Sequence, residues 1–276
     1  ILEKGFASDK DVETAARLYG IPMLHKKYRN IAKTLNKADA LCKKRIQETK
    51  DKVTDVDDDW LTYFMERVSI VSEESIQSIF ACILTQECCE SGSMRKVMID
   101  RLALLDRKSA RLFSILCQLT YSVEVNDGRI YYVPLYLRDN ILVELVKNKA
   151  TLFAEDQAIE YQNILAEGLD SDCQLEDLES ELDMLQEIGL INISKDEDEG
   201  DIYSAKSSTF CFRVGSEEVG RLSLFDEEQK VYFACTGNIT YTKMGLELYQ
   251  SLKAVYPSYS GLHALLKAYI YLQENR

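Results

Sequence analysis

The chain is poor in residues that break secondary structure and in residues that do chemistry. Its 276 residues include only 3 prolines and 12 glycines, which argues against long structureless linkers. It has 2 histidines, His25 and His263, both far from any cysteine cluster. A Ser-His-Asp or Cys-His arrangement would have to use one of them. Yet His25 sits at the start of a basic helix and His263 in the first turn of the last one, where each reads as a surface or partly buried residue. No Gly-rich phosphate loop and no Gly-x-Ser-x-Gly elbow occurs. No apolar run approaches the roughly 18–20 residues of a membrane-spanning helix, and no signal-peptide pattern is present. The chain opens at Ile1 rather than at a methionine, which leaves room for an upstream piece carrying a membrane segment or another domain.

Cysteine is present, but not in a metal-binding pattern. The eight cysteines (Cys42, Cys82, Cys88, Cys89, Cys117, Cys173, Cys211 and Cys235) include no Cys-x-x-Cys pair. Zinc sites need paired ligands at short spacing, so these read as buried reduced thiols of a cytoplasmic protein. Adjacent Cys88 and Cys89 lack a close preceding basic residue that would lower a thiol pKa. The acidic pairs Asp57/Asp59 and Asp196/Asp198 could hold magnesium in a hydrolase. The first is better placed to cap a helix, and the second lies in a polar loop, Lys195–Asp201. No metal, no cofactor and no catalytic residue is expected.

The net charge of −13 is unevenly spread. Residues 1–55 hold 13 Lys/Arg against 8 Asp/Glu, whereas 151–200 hold 16 acidic residues and the single base Lys195. The basic part reads as one long helix from Met23 to Val53. Tyr28, Ile31, Leu35, Cys42, Ile46 and Val53 fall in a stripe about 60° wide, and Lys26, Lys33, Lys37 and Lys44 lie together on the opposite side. The acidic run Asp55–Asp59 can cap a helix at Trp60.

Short helices follow. One runs from Trp60 to Ser69; a second starts at Ser72-Glu73-Glu74, with a capping hydroxyl and two carboxylates in its first turn. Gly92-Ser93 breaks it and caps a third, and Asp106 caps a fourth. Beyond Tyr121 the pattern turns to strands, 123–125 and 130–133, around an Asp-Gly turn. Helices are expected over 137–145, 156–168 and 175–188, with Gly189 ending the last before a strand at 190–193. Strands at 209–214, 218–225 and 230–236 precede a helix from Thr242 and, after Pro257, a terminal helix capped by Ser260. Helix, turn, helix and β-ribbon is the order of a winged helix. Its recognition helix would carry Glu176, Asp177, Glu179, Glu181, Asp183 and Glu187 with no Lys or Arg, so it would repel DNA.

The segment around Trp60 resembles a bacterial family of unknown function, domain family twenty-eight-oh-six. The resemblance rests on Asp57, Asp59, Trp60 and Phe64, then Val71-Ser72-Glu73-Glu74, Ile76-Gln77, Ile79-Phe80-Ala81, Ile83-Leu84 and Glu87. Gly92-Ser93, Leu102, Leu105, Ala110 and Phe113 continue it, and Thr242-x-x-Gly245-x-Glu247-Leu248 is similar to the family's closing motif. Phe80 departs from the Trp of the family pattern, and Ser91 from its Pro. The resemblance implies a bacterial cytoplasmic setting, among mobile-element or phage-defence genes, and supplies no activity. The matched residues read as parts of a fold: Trp60, Phe64 and Phe80 for packing, Ser72 and Ser93 for capping, Gln77 and Glu87 for orienting turns, Gly92 as a helix break, and Gly245 as a structural residue of the closing motif.

The expected fold is α+β and predominantly α, an N-terminal helical bundle followed by a winged-helix-like unit with small antiparallel β-ribbons. The expected division is 1–56 (basic helix), 57–120 (bundle), 121–256 (winged-helix-like region) and 257–276 (terminal helix). The expected function is a non-enzymatic interaction or regulatory role, through a protein partner or self-association. Nucleic-acid binding by the basic helix through Lys26, Lys33, Lys37 and Lys44 is the alternative, and a metal-dependent hydrolase the second.

Overall fold

The computed structural model describes residues 14, 16–49, 53–125, 128–136, 161–164, 175–193, 207–225, 239–253 and 255–274. The helix expected over 137–145, the strand over 230–236, the loop Lys195–Asp201 with Asp196 and Asp198, and Cys173 and Cys235 lie outside them. The chain is predominantly helical and forms two compact units, Ile1–Leu105 and Asp106–Arg276.

Unit one is all helix among its described residues. A π turn, Ala16–Gly20, leads into α1 (Ile21–Thr49), followed by α2 (Asp58–Ile70), α3 (Glu74–Cys89) and α4 (Lys96–Leu102). The start of α2 is set by Asp57, whose carboxylate accepts from Trp60 N at 2.8 Å, satisfying one of the first-turn amides. Trp60 stacks on Phe64 at 5.1 Å, and Phe64 meets Phe80 edge-on at 5.7 Å. Ile79, Ile83, Ile99 and Leu102 are fully buried around this aromatic row. Removing a ring at the Phe64 position would cost about 3–5 kcal/mol. Arg67 Nε donates to Asp100 Oδ1 at 2.8 Å, and the Tyr63 hydroxyl donates to the other oxygen, fastening α4 to α2.

The way α1 docks differs from a simple amphipathic reading. It packs on α2 and α3, but its buried line is Asn30, Thr34 and Ala38, small residues four apart that let the helices approach closely. Asn30 Nδ2 donates to Ser69 O at 3.0 Å, one of the last carbonyls of α2 and therefore without a partner in its own helix. Thr85 Oγ1 on α3 donates to Ala38 O at 3.3 Å. The apolar stripe lies at the edge of this contact: Ile31, Leu35 and Cys42 are half-buried, while Tyr28, Ile46 and Val53 are exposed.

Unit two opens with α5 (Arg107–Gln118), capped by the Asp106 carboxylate accepting from Ser109 N at 2.8 Å. The chain then runs into β1 (Thr120–Val125) and β2 (Ile130–Pro134), an antiparallel hairpin pairing Tyr121 with Val133 and Glu124 with Ile130. Gly128 in the turn has φ +80, a left-handed conformation that glycine adopts without strain. Next come α6 (Leu175–Glu187), β3 (Ile191–Ile193), β4 (Ser207–Val214), β5 (Glu217–Phe225), β6 (Ile239–Tyr241), α7 (Lys243–Leu252) and α8 (Leu262–Glu274). The larger sheet is wholly antiparallel, in the order β2-β1-β4-β5. Its inner face contributes Tyr121, Val123, Phe210 and Phe212 to a core closed by Leu262, Leu265, Leu266 and Tyr269 of α8. Tyr161, in the short helical stretch 161–164, is fully buried there and donates to Leu135 O at 3.2 Å.

The acidic helix α6 packs on α5 through Leu178, Leu182 and Leu185, and Ser109 Oγ donates to Glu181 Oε2 at 2.6 Å. Gly189 ends it at φ +78 and β3 follows, in the order read from the sequence. The strand that pairs with β3 is β6, not the β4–β5 hairpin, which extends the larger sheet from β1.

Candidate functional site

Two groups of residues were singled out by the sequence: the lysines of α1 and the motif around Trp60. The structure gives them different characters.

Along α1 the four lysines do not form one free row. Lys37 is half-buried and committed to α3: its Nζ donates to Glu74 O at 3.1 Å and Ser78 Oγ at 2.8 Å, and lies 3.3 Å from Glu74 Oε1. Lys44 sits 3.9 Å from Glu48, one turn along. Lys26 and Lys33 are exposed. The helix instead has an unusual N-terminal stretch. Every side chain from Arg17 to Arg29 is exposed, including Leu18, Tyr19, Ile21, Met23, Leu24 and Tyr28 at 52–72%. Arg17, Lys26, Lys27 and Arg29 accompany them, and no acidic residue occurs between positions 14 and 29. Clusters of exposed large apolar side chains mark interaction surfaces far more often than scattered single ones do. Ile21, Leu24, Tyr28, Ile31 and Leu35 follow a three-four spacing, the repeat that keeps a helix seam facing a partner helix. Sequence periodicity found Tyr28 onward but missed Leu18 to Leu24, because the exposure of that stretch is a property of where α2 and α3 end.

The motif residues are interior. Trp60 is 5% exposed and its Nε1 donates to Met94 O at 2.6 Å. Glu87 is 1% exposed; Oε1 accepts from Gly92 N at 2.6 Å, and Oε2 from Met94 N at 2.8 Å and more loosely from Ser93 Oγ at 3.5 Å. One carboxylate and one indole thus hold the α3–α4 loop from both sides. Gly92 has φ +84, which explains a glycine there. Gln77 Nε2 donates to Val71 O at 3.0 Å and closes the α2–α3 turn in the same manner. The capping assigned to Ser72 and Ser93 is corrected. The cap positions are Glu73 and Arg95, neither with a side-chain cap bond; Ser72 is exposed, and Ser93 turns toward Glu87 instead. Buried Gln77 and Glu87 take over the loop amides and carbonyls that a serine cap would otherwise serve.

At the other end of the motif, Thr242 caps α7. Its Oγ1 accepts from Gly245 N at 3.0 Å and donates to Gly189 O at 2.6 Å. Gly245 is required by space: a Cβ there would lie 1.8 Å from Leu190 O.

No convergent chemistry appears among these groups. Asp57 is occupied as a cap, and no cluster of three or more His, Cys, Asp or Glu that could hold a metal occurs among the described residues. His25 is exposed, and His263 Nε2 lies 3.6 Å from Glu217 Oε1. Burial pushes the Cys82 thiol up to about 12 and the Cys88 thiol up to about 11, the latter helped by neighbouring Cys42. Cys42, Cys82, Cys88, Cys89, Cys117 and Cys211 are free thiols. No helix among the described residues is long and apolar enough to cross a membrane.

Comparison with curated proteins and with solved structures gave no match. One family model does match, over residues 22–254, from the start of α1 to just past α7 and so across both units. The chain belongs to the family described as "Protein of unknown function (DUF2806)".

Proposed function

We propose that this protein is a non-enzymatic interaction module that associates through the exposed N-terminal stretch of α1, with a second copy of the chain as its partner. The observation that carries this reading is the unbroken exposure from Arg17 to Arg29, six large apolar side chains included. The three-four spacing favours a helix as the occupant. In that repeat Lys26, Arg29 and Lys33 fall outside the seam and Lys27 alone flanks it, so most of the positive charge is kept away from the second copy. Burying the remaining exposed area of Ile21, Leu24 and Tyr28 on each copy yields roughly 6–9 kcal/mol in gross terms. Association itself costs at least about 4 kcal/mol, so a weak, concentration-dependent complex is expected.

Sedimentation velocity across a concentration series tests this. The expected result is a mass that rises toward two chains and falls back to one in Leu24→Lys. A single-chain mass at every concentration, or a rise that Leu24→Lys leaves unchanged, would refute it. The nucleic-acid reading loses support from Lys37, whose ammonium is already engaged by Glu74 and Ser78. The proposed setting is a bacterial cytoplasm, among mobile-element or phage-defence functions; it rests on family resemblance and on cysteine usage suited to a reducing compartment.

A further inference from the structure

The larger sheet of unit two has one face in the core and one face turned outward. Alternation along β1 puts Tyr121, Val123 and Val125 inside and leaves Ser122 and Glu124 half-buried on the other side. That outer face, the β4–β5 turn and α7 enclose a groove of about 650 Å³, within the roughly 300–1,000 Å³ usual for small-molecule sites. The register fixes its cross-section. Ser122 stands opposite Tyr132 on β2 and opposite Arg213 on β4, so a short hydroxyl side chain lies between an aromatic ring and a guanidinium. The floor is therefore low in the middle, with a flat wall on one side and a cation on the other.

The polar groups around the groove are only partly committed. Arg213 Nε lies 3.3 Å from Glu124 Oε2, and Nη2 lies 3.8 Å from Glu218 Oε2. Nε is nonetheless buried with no hydrogen-bond partner among the described residues. Lys253 reaches over Tyr132, its Nζ 6.0 Å from the ring centroid, and that ammonium makes no ion pair or hydrogen bond among the described residues. The hydroxyls of Ser122 and Ser216 are likewise without a hydrogen bond among them. Behind Tyr132 the wall is rigid: Tyr132 packs on Tyr249 at 5.5 Å, Tyr249 stacks on Tyr241 at 5.4 Å, and Tyr241 meets Phe113 at 5.9 Å.

We propose that this groove binds a small monoanionic or dianionic molecule with a flat ring, of the nucleoside monophosphate class. Its phosphate sits between Arg213 and Lys253, its ring lies against Tyr132, and its sugar hydroxyls meet Ser122, Ser216 and Glu124. An uncharged nucleoside leaves the Lys253 ammonium without an anionic partner and the Arg213 guanidinium with only its loose carboxylate contacts. Inorganic phosphate leaves the ring wall empty. A triphosphate brings more negative charge than two cations offset with Glu124 and Glu218 alongside.

This site is built from residues of unit two alone and shares none with α1, so its test is separate from that of the self-association. Isothermal titration of the full chain with AMP and with UMP, against inorganic phosphate and adenosine, reads it directly. The expected result is saturable binding of at least one monophosphate, about tenfold or more tighter than phosphate or adenosine. Lys253→Glu and Ser122→Leu should each weaken it by about tenfold or more without lowering the melting temperature. Lys253→Glu, an exposed change at the end of α7, carries the test if Ser122→Leu disturbs the sheet. No saturable binding at millimolar monophosphate, equal affinity for inorganic phosphate, or binding that both substitutions leave intact would overturn the proposal.

Discussion

Replacing Gly245 with alanine should destabilise unit two, against the usual sign for a glycine in a helix. Gly→Ala at an ordinary helical position gains up to about 1 kcal/mol. Here the added methyl would lie 1.8 Å from Leu190 O, 2.8 Å from Leu190 C and 3.2 Å from its Cα. Real Cβ contacts essentially never fall below 3.0 Å, so α7 and the residue that leads into β3 must separate by about 1.2 Å or more. That carbonyl accepts from Thr242 N at 3.1 Å, and Thr242 Oγ1 bridges to Gly189 O at 2.6 Å, so the separation strains both bonds. Overpacking costs about 1–3 kcal/mol and each weakened bond about 1 kcal/mol, leaving a net loss of about 2–4 kcal/mol after the helical gain. For a chain of this size the loss corresponds to a fall in Tm of roughly 5–15 °C. Thermal melting followed by near-UV circular dichroism is suitable, since Tyr241 and Tyr249 stack beside the altered turn. A melting temperature equal to or above that of the parent protein would refute the reasoning.

Three further outcomes follow from the same geometry. Glu87→Gln should cost about 2 kcal/mol and Glu87→Ala about 3–4 kcal/mol, because buried amides of the α3–α4 loop lose a charged acceptor. Urea unfolding followed by fluorescence of the single tryptophan, which is bonded into that loop, measures this; an unchanged midpoint for Glu87→Ala would contradict it. Cys82 should resist a thiol-specific reagent at pH 8, where a thiol raised to about 12 holds about a thousandfold less thiolate than an ordinary one. Mass mapping that finds Cys82 among the first sites labelled would show the burial to be wrong. Arg221, then Cys211, hold the Glu218 carboxyl down to about 2 from 4.5. A depressed carboxylate stabilises the fold above its unfolded value and loses that contribution as the pH falls toward the folded one. Glu218→Gln should therefore flatten the acid limb of the stability profile between about pH 4.5 and 2, by a small amount because the pair is solvent-exposed; parallel profiles would count against the pairing.

Local chemistry was legible where a residue acts on its own neighbours. Asp57 and Asp106 read as caps because a cap bonds three residues ahead, and each does; the helix start read at Thr242 holds for the same local reason. Gly128 and Gly189 read as turn points for a similarly local reason. The face by which α1 docks was not legible. Asn30 and Ala38 meet groups 39 and 47 residues away, and apolar periodicity gives no weight to a contact built from small and polar residues. Ser72 and Ser93 satisfied a local pattern, but the tertiary bonds of Gln77 and Glu87 made their caps unnecessary. β6, three residues long, carries too little pattern to be read alone, and it exists because β3 needs a partner. The groove draws Ser122, Tyr132 and Arg213 from three strands, which only register brings together, and Lys253 from just past α7.

The central claim is that two copies meet along the exposed stretch of α1, and a site-specific photo-crosslink tests it most directly. A benzophenone side chain in place of Leu24 should, on irradiation of the purified protein, join the chain to a second copy, with the crosslinked peptide mapping to residues 17–35. The same group at exposed Asp39, on a part of α1 that packs on α3, should give little two-chain product. A two-chain band from position 24 that maps to α1 is the result expected; no such band, or an equal yield from position 39, would contradict the account.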